Sequence, residues 1–351
     1  MSLDNSIRQI RPADRQAYEA CIARFNLVAK PVGSLGRLED LLARIAAVYG
    51  DPGIDIGKKR VLVFCGDNGV LAQGVAQSTS DVTTAIGRSL AAGTASVCVM
   101  ARACGADVLP VDMGMKQTAI GLLDRRLGAG TADISCGPAM SEETAERGVC
   151  VGIEMVKRCK EDGCRIIATG EAGIGNTTTS SAIAAVLLGR PVDEVTGRGS
   201  GLTDEGLLRK RRAIQTAIAV NRPDAGDPLG VLAKLGGFDI AGMTGAFLGG
   251  AQYHVPVVMD GFISAVAALL AVRLCPAVRD YILPSHISAE PAGLLMMEEL
   301  GLEPMIHGDL RLGEGTGAVA LFPLLDLAAA VYHDAATFTD IQVEAYRPWA
   351  R

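Results

Sequence analysis

Short runs of apolar residues alternate along this chain with longer amphipathic stretches that are typical of helices. The clearest runs lie at residues 61–65, 108–112 and 257–259, with a shorter one at residues 282–283. A strand that helices cover on both faces needs such a run, because neither of its faces meets water. We therefore predict parallel strands that are joined by helices, as in an α/β protein.

Residues 165–188 combine a short strand pattern, a glycine-rich turn and an alanine-rich helical pattern. The pair Ile166-Ile167 suits a buried strand, and Asn176 or Thr177 can cap the helix that follows. Free N–H groups at the start of such a helix favour a phosphate or a carboxylate. Glu171 would repel a phosphate, so we expect its carboxylate to face a ribose hydroxyl or a reacting cation. An ordinary βα turn is the alternative interpretation.

Polar residues follow the predicted strands at the points where the strands end. In open parallel sheets, ligands gather at the carboxyl ends of the strands. A single acid after a strand is a common turn former, but several on one edge indicate a site. The residues predicted to share this edge are Asp67, Asp112, Glu171, Asp260 and Ser285.

A second glutamate between glycines lies near the end of the chain, where Glu314 stands between Gly313 and Gly315. Because an apolar helical pattern follows directly, we expect rigid backbone to hold this carboxylate. Glu314 and Glu171 suggest a division of labour between a base and a stabilising carboxylate. Spacing alone leaves open which glutamate has which role.

Composition supports a globular α/β protein without nucleic acid. The chain has 351 residues, of which 49% are apolar and only 4% aromatic, with 42 glycines for tight turns. This length suffices for one large domain or two ordinary ones. The net charge is −6 and no basic stripe is present, so we expect no nucleic-acid partner.

Cysteine and histidine usage predicts a cytoplasmic protein without a metal. The nine cysteines include no CxxC pair, and no signal-peptide pattern opens the sequence, which favours reduced thiols. The four histidines are dispersed, so no zinc site is predicted from local spacing. The longest apolar stretch, residues 262–272, is too short to span a bilayer and is interpreted as a buried helix, so we expect no membrane association.

Seven motifs in order resemble the nicotinate-nucleotide:dimethylbenzimidazole phosphoribosyltransferases of cobalamin synthesis. They are KPVGSLGRLE, FCGDNGV, GEAGIGNTTTSSA, KLGGFDIAGMTGAFLGGA, PVVMDGFISAVAALLA, PSHISAEPAG and LRLGEGTGA. The match runs from about Lys30 to about His333. Seven ordered motifs are far more specific than one glycine-rich loop.

The resemblance implies a Rossmann-like parallel sheet with helices on both faces and a small helical domain from both chain ends. Residues 55–290 would form the nucleotide-binding core, and residues 1–54 and 291–351 the smaller domain with the catalytic glutamate loop. It also implies transfer of the phosphoribosyl group of nicotinate mononucleotide to dimethylbenzimidazole or a related base, with release of nicotinate. The product is an α-linked riboside phosphate for cobamide synthesis. A dimer is implied, and no metal or redox cofactor.

Site residues carry over from the same resemblance. The pyridinium of the donor leaves without a general acid, so the reaction needs a base for the acceptor's proton. The resemblance makes Glu314 that base and puts Glu171 near the ribose and the developing cation. The phosphate would be held near Gly173, Gly175, Asn176, Gly199, Lys210 and Ser288. The other residues expected to bind substrate are Ser78, Ile86, Thr177, Asp239, Asp260, Leu312 and Gly313.

Three positions depart from the pattern of this family. Many relatives have Asp-His-Gly where this chain has residues 67–69, DNG, and a Ser-Pro step where it has Ser78-Thr79. Ile86 stands where the benzimidazole enzymes place a glutamine near the base. The acceptor can therefore also be phenol or p-cresol, as in similar enzymes that work as pairs of related subunits. Both a homodimer and a heterodimer with a paralogous chain stay open.

Two further alternatives differ in class. The first is a non-catalytic nucleotide-binding subunit that supports an active paralogue, although the intact Glu171 and Glu314 favour an active enzyme. The second is a Rossmann-type dehydrogenase. No GxGxxG motif follows the first predicted strand, which argues against the dehydrogenase.

Overall fold

The computed structural model of this protein describes residues 2–346. Its strands are β1 Lys59–Gly66, β2 Ala106–Gly114, β3 Leu123–Asp124, β4 Ile166–Ala172, β5 Val257–Met259 and β6 Ile282–Pro284. They form one parallel sheet in the order β3-β2-β1-β4-β5-β6. The chain reverses its direction across the sheet between β1 and β4, as in Rossmann-like folds. The predicted α/β class and parallel sheet are confirmed, and only the two-residue β3 had no sequence signal.

Helices connect the strands and cover the sheet. They are α1 Leu3–Gln9, α2 Arg15–Leu27, α3 Arg37–Tyr49, α4 Ser80–Ala91, α5 Ser96–Ala103, α6 Glu142–Glu161, α7 Asn176–Leu188, α8 Val192–Val195, α9 Asp204–Asn221, α10 Pro228–Leu235, α11 Phe238–Tyr253, α12 Phe262–Leu274, α13 Gly293–Leu300 and α14 Thr316–Asp334. Short 3-10 helices lie at Gly69–Gln73 and Pro276–Tyr281.

The strands direct alternate side chains into two apolar clusters, one on each face of the sheet. In β1, Leu62 and Phe64 belong to the first cluster, whereas Val61 and Val63 belong to the second. Helices α6, α7, α10, α11 and α12 contribute to the first cluster, and α2, α3, α5 and α14 to the second. Burial on both faces explains why the strands read as nearly unbroken apolar runs.

Helices from both ends of the chain meet on the second face. The rings of Phe25 in α2 and Tyr332 in α14 pack edge to face with their centroids 4.9 Å apart. Val28 and Thr337 form an antiparallel bridge next to them. These helices share one apolar cluster with strand residues such as Val61. The boundaries of the two predicted domains, at residues 54 and 290, stay a prediction.

Glycines of α11 allow unusually close packing against α6. A Cβ at Gly152 in α6 would overlap the carbonyl oxygen of Gly242, and a Cβ at Gly245 would overlap that of Val149. Side chains at the contact set the distance between helix axes, so glycines bring the two backbones together. Packing against α6 thus explains Gly245 and Gly249, whereas a Cβ at Gly242 would meet the ring of Phe64 in β1.

Two stretches are long and apolar enough to cross a membrane by length and composition, Ser80–Ala103 and Thr316–Asp334. The first is not one continuous helix, since α4 ends at Ala91 and α5 begins at Ser96. The second is α14, which buries Phe322 and its neighbours in the cluster under the sheet. The apolar composition of α14 is therefore explained by its place in the core, and α12, the predicted buried helix, is also buried.

Candidate active site

A pocket of about 180 Å³ lies at the carboxyl ends of the central strands. Four segments supply most of its wall: residues 171–177 after β4, residues 198–200, residues 260–264 after β5, and residues 310–314 before α14. Ile86 of α4 and His286 after β6 also line it. The site is thus where an open parallel sheet is expected to bind its ligand.

The loop after β4 leads directly into α7, as predicted. Gly175 stands at the N-cap of α7 with φ at 99°, a conformation that favours glycine. A Cβ at Gly173 would overlap the carbonyl oxygen of Gly66, so the loop runs against the end of β1. Because Gly173, Gly175, Asn176 and Thr177 all line the pocket, the N-terminus of α7 opens into it.

Glu171 belongs to a buried pair of carboxyl groups. The side-chain amide of Asn176 donates a hydrogen bond to Glu171 and another, of 3.0 Å, to Oδ2 of Asp239. Burial and then the charge of Asp239 raise the pKa of Glu171 well above its usual range. Burial likewise raises the pKa of Asp239 to about 6. Two buried carboxyl groups that share one donor favour retention of a proton within the pair.

Glu314 lies in a loop whose backbone is left-handed at three consecutive residues. The angle φ is 88° at Gly313, 61° at Glu314 and 93° at Gly315. Such a φ is uncommon outside glycine, and the flanking glycines make the turn possible. The loop packs on β4, because a Cβ at Gly170 would overlap the carbonyl oxygen of Glu314. A Cβ at Gly313 would lie 2.6 Å from Oε1 of Glu171, so the two predicted glutamates meet in one pocket.

The carboxylate of Glu314 reaches the start of α5. Its Oε2 accepts a hydrogen bond of 3.3 Å from the backbone N–H of Val97. Burial raises the pKa of Glu314, this hydrogen bond opposes the increase, and the charge of Asp260 adds to it. A carboxylate whose pKa is moved toward neutrality is suited to take up a proton in a reaction.

Lys210 supports the pocket wall at Thr177 and Gly199 from behind. Its side chain is fully buried, and Nζ donates to Oγ1 of Thr177 at 2.9 Å and to the carbonyl oxygen of Gly197 at 3.1 Å. Burial lowers the pKa of Lys210 to about 8, and Glu290 opposes that decrease. A Cβ at Gly199 would lie 3.5 Å from Nζ, so the lysine sits directly beneath this loop.

Comparison with known proteins shows which family has this sequence and this fold. A family model described as phosphoribosyltransferase matches residues 10–343. The nicotinate-nucleotide-dimethylbenzimidazole phosphoribosyltransferases of Ruminiclostridium cellulolyticum and Clostridium acetobutylicum are 42% and 43% identical to this chain over 350 residues, which is 99% of each chain. The crystal structure of CobT from Thermus thermophilus is similar with a TM-score of 0.88 at 38% identity, covering 94% of this chain and 99% of that one.

The chain belongs to this phosphoribosyltransferase family. The resemblance that the seven motifs indicated is confirmed, and so is the expectation of an enzyme. Most of the residues that the sequence singled out line the pocket of the phosphoribosyltransferase. They are Ile86, Glu171, Gly173, Gly175, Asn176, Thr177, Gly199, Asp260, Ser288, Leu312, Gly313 and Glu314.

Three predicted residues do not line the pocket of the phosphoribosyltransferase, namely Ser78, Lys210 and Asp239. Lys210 and Asp239 are fully buried behind the wall, where they contact Thr177 and Asn176. Ser78 lies two residues beyond Ala76, which does line the pocket. The expected contacts of these three residues with substrate stay predictions.

The polar residues at the strand ends divide into two groups. Asp112 accepts hydrogen bonds of 2.9 Å from the N–H groups of Gly114 and Met115, as turn-forming acids do. Asp67 likewise accepts one of 2.7 Å from the N–H of Lys116. Within the part of the chain that the structure describes, Glu171 and Asp260 are the two of the five that line the pocket.

Several pocket residues of the phosphoribosyltransferase were missed by sequence reasoning. Arg198, His286, Glu290 and Arg311 line the pocket, and each lies beside a residue or motif that had been singled out. Their neighbours in the sequence therefore carried the signal. Val97 is different, because nothing in its surroundings in the chain indicates a contact with Glu314.

The three departures from the family pattern lie in different surroundings. Asn68 is only 1% exposed and lies behind the pocket, where a Cβ at Gly175 would be 3.3 Å from its own Cβ. Ser78 and Thr79 precede α4 outside the pocket wall. Ile86 does line the pocket, so it is the departure that can alter the choice of acceptor.

Proposed function

We propose that this phosphoribosyltransferase moves the phosphoribosyl group of nicotinate mononucleotide to dimethylbenzimidazole, with nicotinate and an α-linked riboside phosphate as products for cobamide synthesis. Relatives named for this activity match nearly the whole chain. The observation that carries the proposal is the meeting of Glu171 and Glu314 in one pocket beside the N-terminus of α7. The relatives and the pocket with its two glutamates support this activity over the alternatives. Those alternatives are a non-catalytic subunit, a phenol-specific subunit and a dehydrogenase.

The donor's phosphate is best accommodated at the start of α7. Backbone N–H groups and the helix dipole favour an anion there, and the glycines at positions 173 and 175 allow close approach. Arg198 and Arg311 line the same pocket and add positive charge. Lys210 contributes from below by holding Thr177 and the loop at Gly199 in place.

The bond between the ribose C1′ and the pyridinium nitrogen breaks with its electron pair returning to the ring. Because that nitrogen already carries a positive charge, nicotinate leaves without a proton from the enzyme. Positive charge then develops on the ribose, and the carboxyl group of Glu171 is placed to stabilise it. A cation in the pocket favours the ionised form of Glu171, against the burial that raises its pKa in the free enzyme.

The acceptor forms the new bond to C1′ on the opposite face, which inverts the linkage. As one ring nitrogen of dimethylbenzimidazole attacks, the N–H of the other loses its proton to Glu314. General-base help of this kind is typically worth about two to four orders of magnitude in rate. Glu314 needs no contact with the leaving group, so the two glutamates act on different ends of the reacting centre.

The decisive test is Glu314→Gln. The amide has the size of the acid but takes up no proton, so kcat should fall by about 10²- to 10⁴-fold while nicotinate mononucleotide still binds. Kinetics with dimethylbenzimidazole and calorimetric titration of the donor measure the two effects. Glu298→Gln, on the exposed side of α13, is the matched control and should keep full activity. Retention of more than about a tenth of the turnover would show that Glu314 is not the base.

We also infer that the enzyme is a cytoplasmic dimer of identical chains. The resemblance to the family supports a dimer, and the cysteine pattern supports a reducing compartment. Helices α5 and α14 each expose a large apolar side chain, Val99 at 52% and Leu327 at 63%, which a second subunit would shield. A heterodimer with a paralogous chain is the alternative.

A further inference from the structure

The loop that carries Glu314 needs a support outside itself. Glu314 has a positive φ between two glycines, which is unfavourable for a residue with a side chain, and such a conformation persists where the surroundings hold it. Within the loop, Thr316 donates from its side chain and from its backbone N–H to the carbonyl oxygen of Gly313, at 2.8 and 3.0 Å. These bonds close the turn but do not attach it to the sheet.

Asp260, at the end of β5, makes that attachment. Its Oδ2 accepts a hydrogen bond of 3.2 Å from the N–H of Gly315, and its Oδ1 accepts one of 3.0 Å from the N–H of Ala318. Gly315 is the N-cap of α14 and has no side chain with which to cap the helix. Asp260 thus performs from a neighbouring strand the task of an N-cap side chain.

The carboxylate of Asp260 is enclosed as well as hydrogen-bonded. It is 4% exposed, and the N–H of Asp260 donates to Oγ of Ser264 at 3.2 Å. The ring of His286 covers it, since a Cβ at Gly317 would overlap that ring and would lie 2.9 Å from Oδ1 of Asp260. Both carboxylate oxygens of Asp260 therefore accept hydrogen bonds from the start of α14.

We propose that Asp260 is a positioning residue, which holds Glu314 against the acceptor by capping α14, and that it does not bind substrate itself. This inference rests on the proposed role of Glu314 as the base. Asp260 was expected from the sequence to contact substrate, and its contacts with Gly315 and Ala318 favour a different task.

The charge of Asp260 also affects how readily Glu314 takes up a proton. The titratable groups around Glu314 are Glu171 on β4, Asp260 after β5, Cys98 on α5 and Cys65 on β1, with His286 facing Asp260. Asp260 raises the pKa of Glu314. Replacing it by a neutral residue lowers that pKa, so the base stays ionised to lower pH.

The test is Asp260→Asn, measured as kcat, donor KM and the pH dependence of kcat. Asparagine keeps one acceptor and turns an N–H donor toward the other N–H group, so one cap bond is lost. We expect kcat to fall about 10- to 100-fold while donor KM changes little, because misplacement by about 1 Å can cost 10²-fold in rate. The acid limb of the pH profile should move to lower pH.

Asp227→Asn is the matched control. Asp227 caps α10, where it accepts a 3.0 Å hydrogen bond from the N–H of Gly230, and neither residue lines the pocket. Loss of that cap should leave kcat and its pH profile unchanged. Should Asp260→Asn fail to fold, Ser264→Ala loosens Asp260 more gently and should lower kcat less, with donor KM again unchanged.

Two further measurements test the positioning role of Asp260 separately from the proposal that Glu314 is the base. Amide hydrogen exchange at Gly315 and Ala318 should accelerate in Asp260→Asn, whether or not Glu314 is the base. In a Glu314→Gln background, Asp260→Asn should reduce kcat no further, because the two residues act together. An unchanged kcat, an unshifted pH profile, unchanged exchange, or a full additional loss in the double variant would each overturn the proposal.

Discussion

At the scale of single residues, electrostatic surroundings separate the two glutamates of the site. Glu171 is buried next to Asp239, and burial raises its pKa well above the usual range. Glu314 is half-buried and has the N–H of Val97 as a partner, so its pKa is raised less strongly. Carboxyl groups in different environments take different roles in catalysis. This difference fits the roles that we propose, with Glu314 as the base and Glu171 as the carboxylate that stabilises positive charge on the ribose.

Lys210 makes binding of the donor sensitive to alkaline pH. With a pKa of about 8, its ammonium loses its charge as pH rises through that value, so KM for nicotinate mononucleotide should increase above about pH 8. Lys210→Met should have a KM about tenfold higher near neutral pH and no such alkaline increase. Steady-state kinetics at several pH values measure both, with Lys157→Met on the exposed side of α6 as control.

The same substitution should not unfold the protein. Because the folded-state pKa of Lys210 lies below its unfolded value, burial of its charge lowers stability below about pH 8, and this cost disappears as pH rises past the unfolded pKa of about 10.4. Thermal unfolding of Lys210→Met should therefore show an unchanged or higher Tm at pH 7. An unchanged donor KM would contradict the support that we assign to Lys210.

Ile86 should relax the choice of acceptor. Its apolar side chain gives a benzimidazole no hydrogen bond of the kind that a glutamine would supply, and such a hydrogen bond is worth about 0.5–1.5 kcal/mol. We expect dimethylbenzimidazole to be the main acceptor and p-cresol to give a measurable second product. Ile86→Gln should raise the preference for dimethylbenzimidazole about tenfold.

Competition between the two acceptors in one reaction, with products identified by mass, measures this preference. Ala85→Gln, one residue earlier on the exposed side of α4, is the control. Strict use of dimethylbenzimidazole by the unmodified enzyme would show that the apolar side chain of Ile86 does not decide the acceptor.

At the scale of elements, the start of α7 and the start of α14 are built in the same way. Each helix begins after a glycine with positive φ, at 99° for Gly175 and 93° for Gly315. Neither glycine caps its helix with a side chain, and the turn before each helix accepts hydrogen bonds from only some of the first N–H groups. At α14, Asp260 accepts from the N–H groups of Gly315 and Ala318, whereas the start of α7 lines the pocket.

Alanine substitutions at the two ends of α7 test the phosphate site. Gly175 and Gly189 both have positive φ, so each alanine costs about 1–2 kcal/mol of stability. Gly189 has open space around it, whereas a Cβ at Gly175 meets Asn68 at 3.3 Å and disturbs the loop. Only Gly175→Ala should raise donor KM, by about tenfold if charge-assisted bonds to the phosphate weaken.

Nicotinate riboside, which lacks the phosphate, completes the test. Urea unfolding should show similar losses of stability for Gly175→Ala and Gly189→Ala, and steady-state kinetics should show a much poorer reaction of the native enzyme with the riboside. The effect of Gly175→Ala should disappear with that donor. If the riboside served as well as the nucleotide, the phosphate would not lie at α7.

At the scale of the whole molecule, the sheet brings groups from distant parts of the chain to one edge. Glu171 comes from β4, Asp260 from β5 and Glu314 from the loop before α14. Helices α2, α3 and α14, from both ends of the chain, cover the second face of the same sheet. Both glutamates that we propose as catalytic belong to this chain, so we expect it to be active without a paralogous partner.

The purified chain should therefore be active by itself. We expect light scattering to give the mass of a homodimer and phosphoribosyl transfer to proceed in the absence of any second gene product. Leu327→Glu on α14 should weaken association, and Leu294→Glu, on α13 and 52% exposed, is the control. Transfer that appears only after addition of a paralogous chain would favour the heterodimer.

The sequence by itself determined the elements and the two glutamates. Residues 61–65 and 166–167 predicted buried parallel strands because burial on both faces leaves a purely local pattern. The glycines around Glu171 and Glu314 marked both carboxylates as held on rigid turns, and the ordered motifs identified the family. These features depend on neighbours in the chain and need no knowledge of how the elements pack.

Only the tertiary structure decided which residues contact each other. It placed the N–H of Val97 against Glu314, the oxygens of Asp260 against the start of α14, and Lys210 behind the pocket wall. Each contact joins residues that are far apart in the chain, and it exists because the crossing helices set their separation and direction. The sequence pattern around a carboxylate that follows a strand is the same whether the carboxylate caps a helix or contacts a substrate. The difference lies in the packing around it.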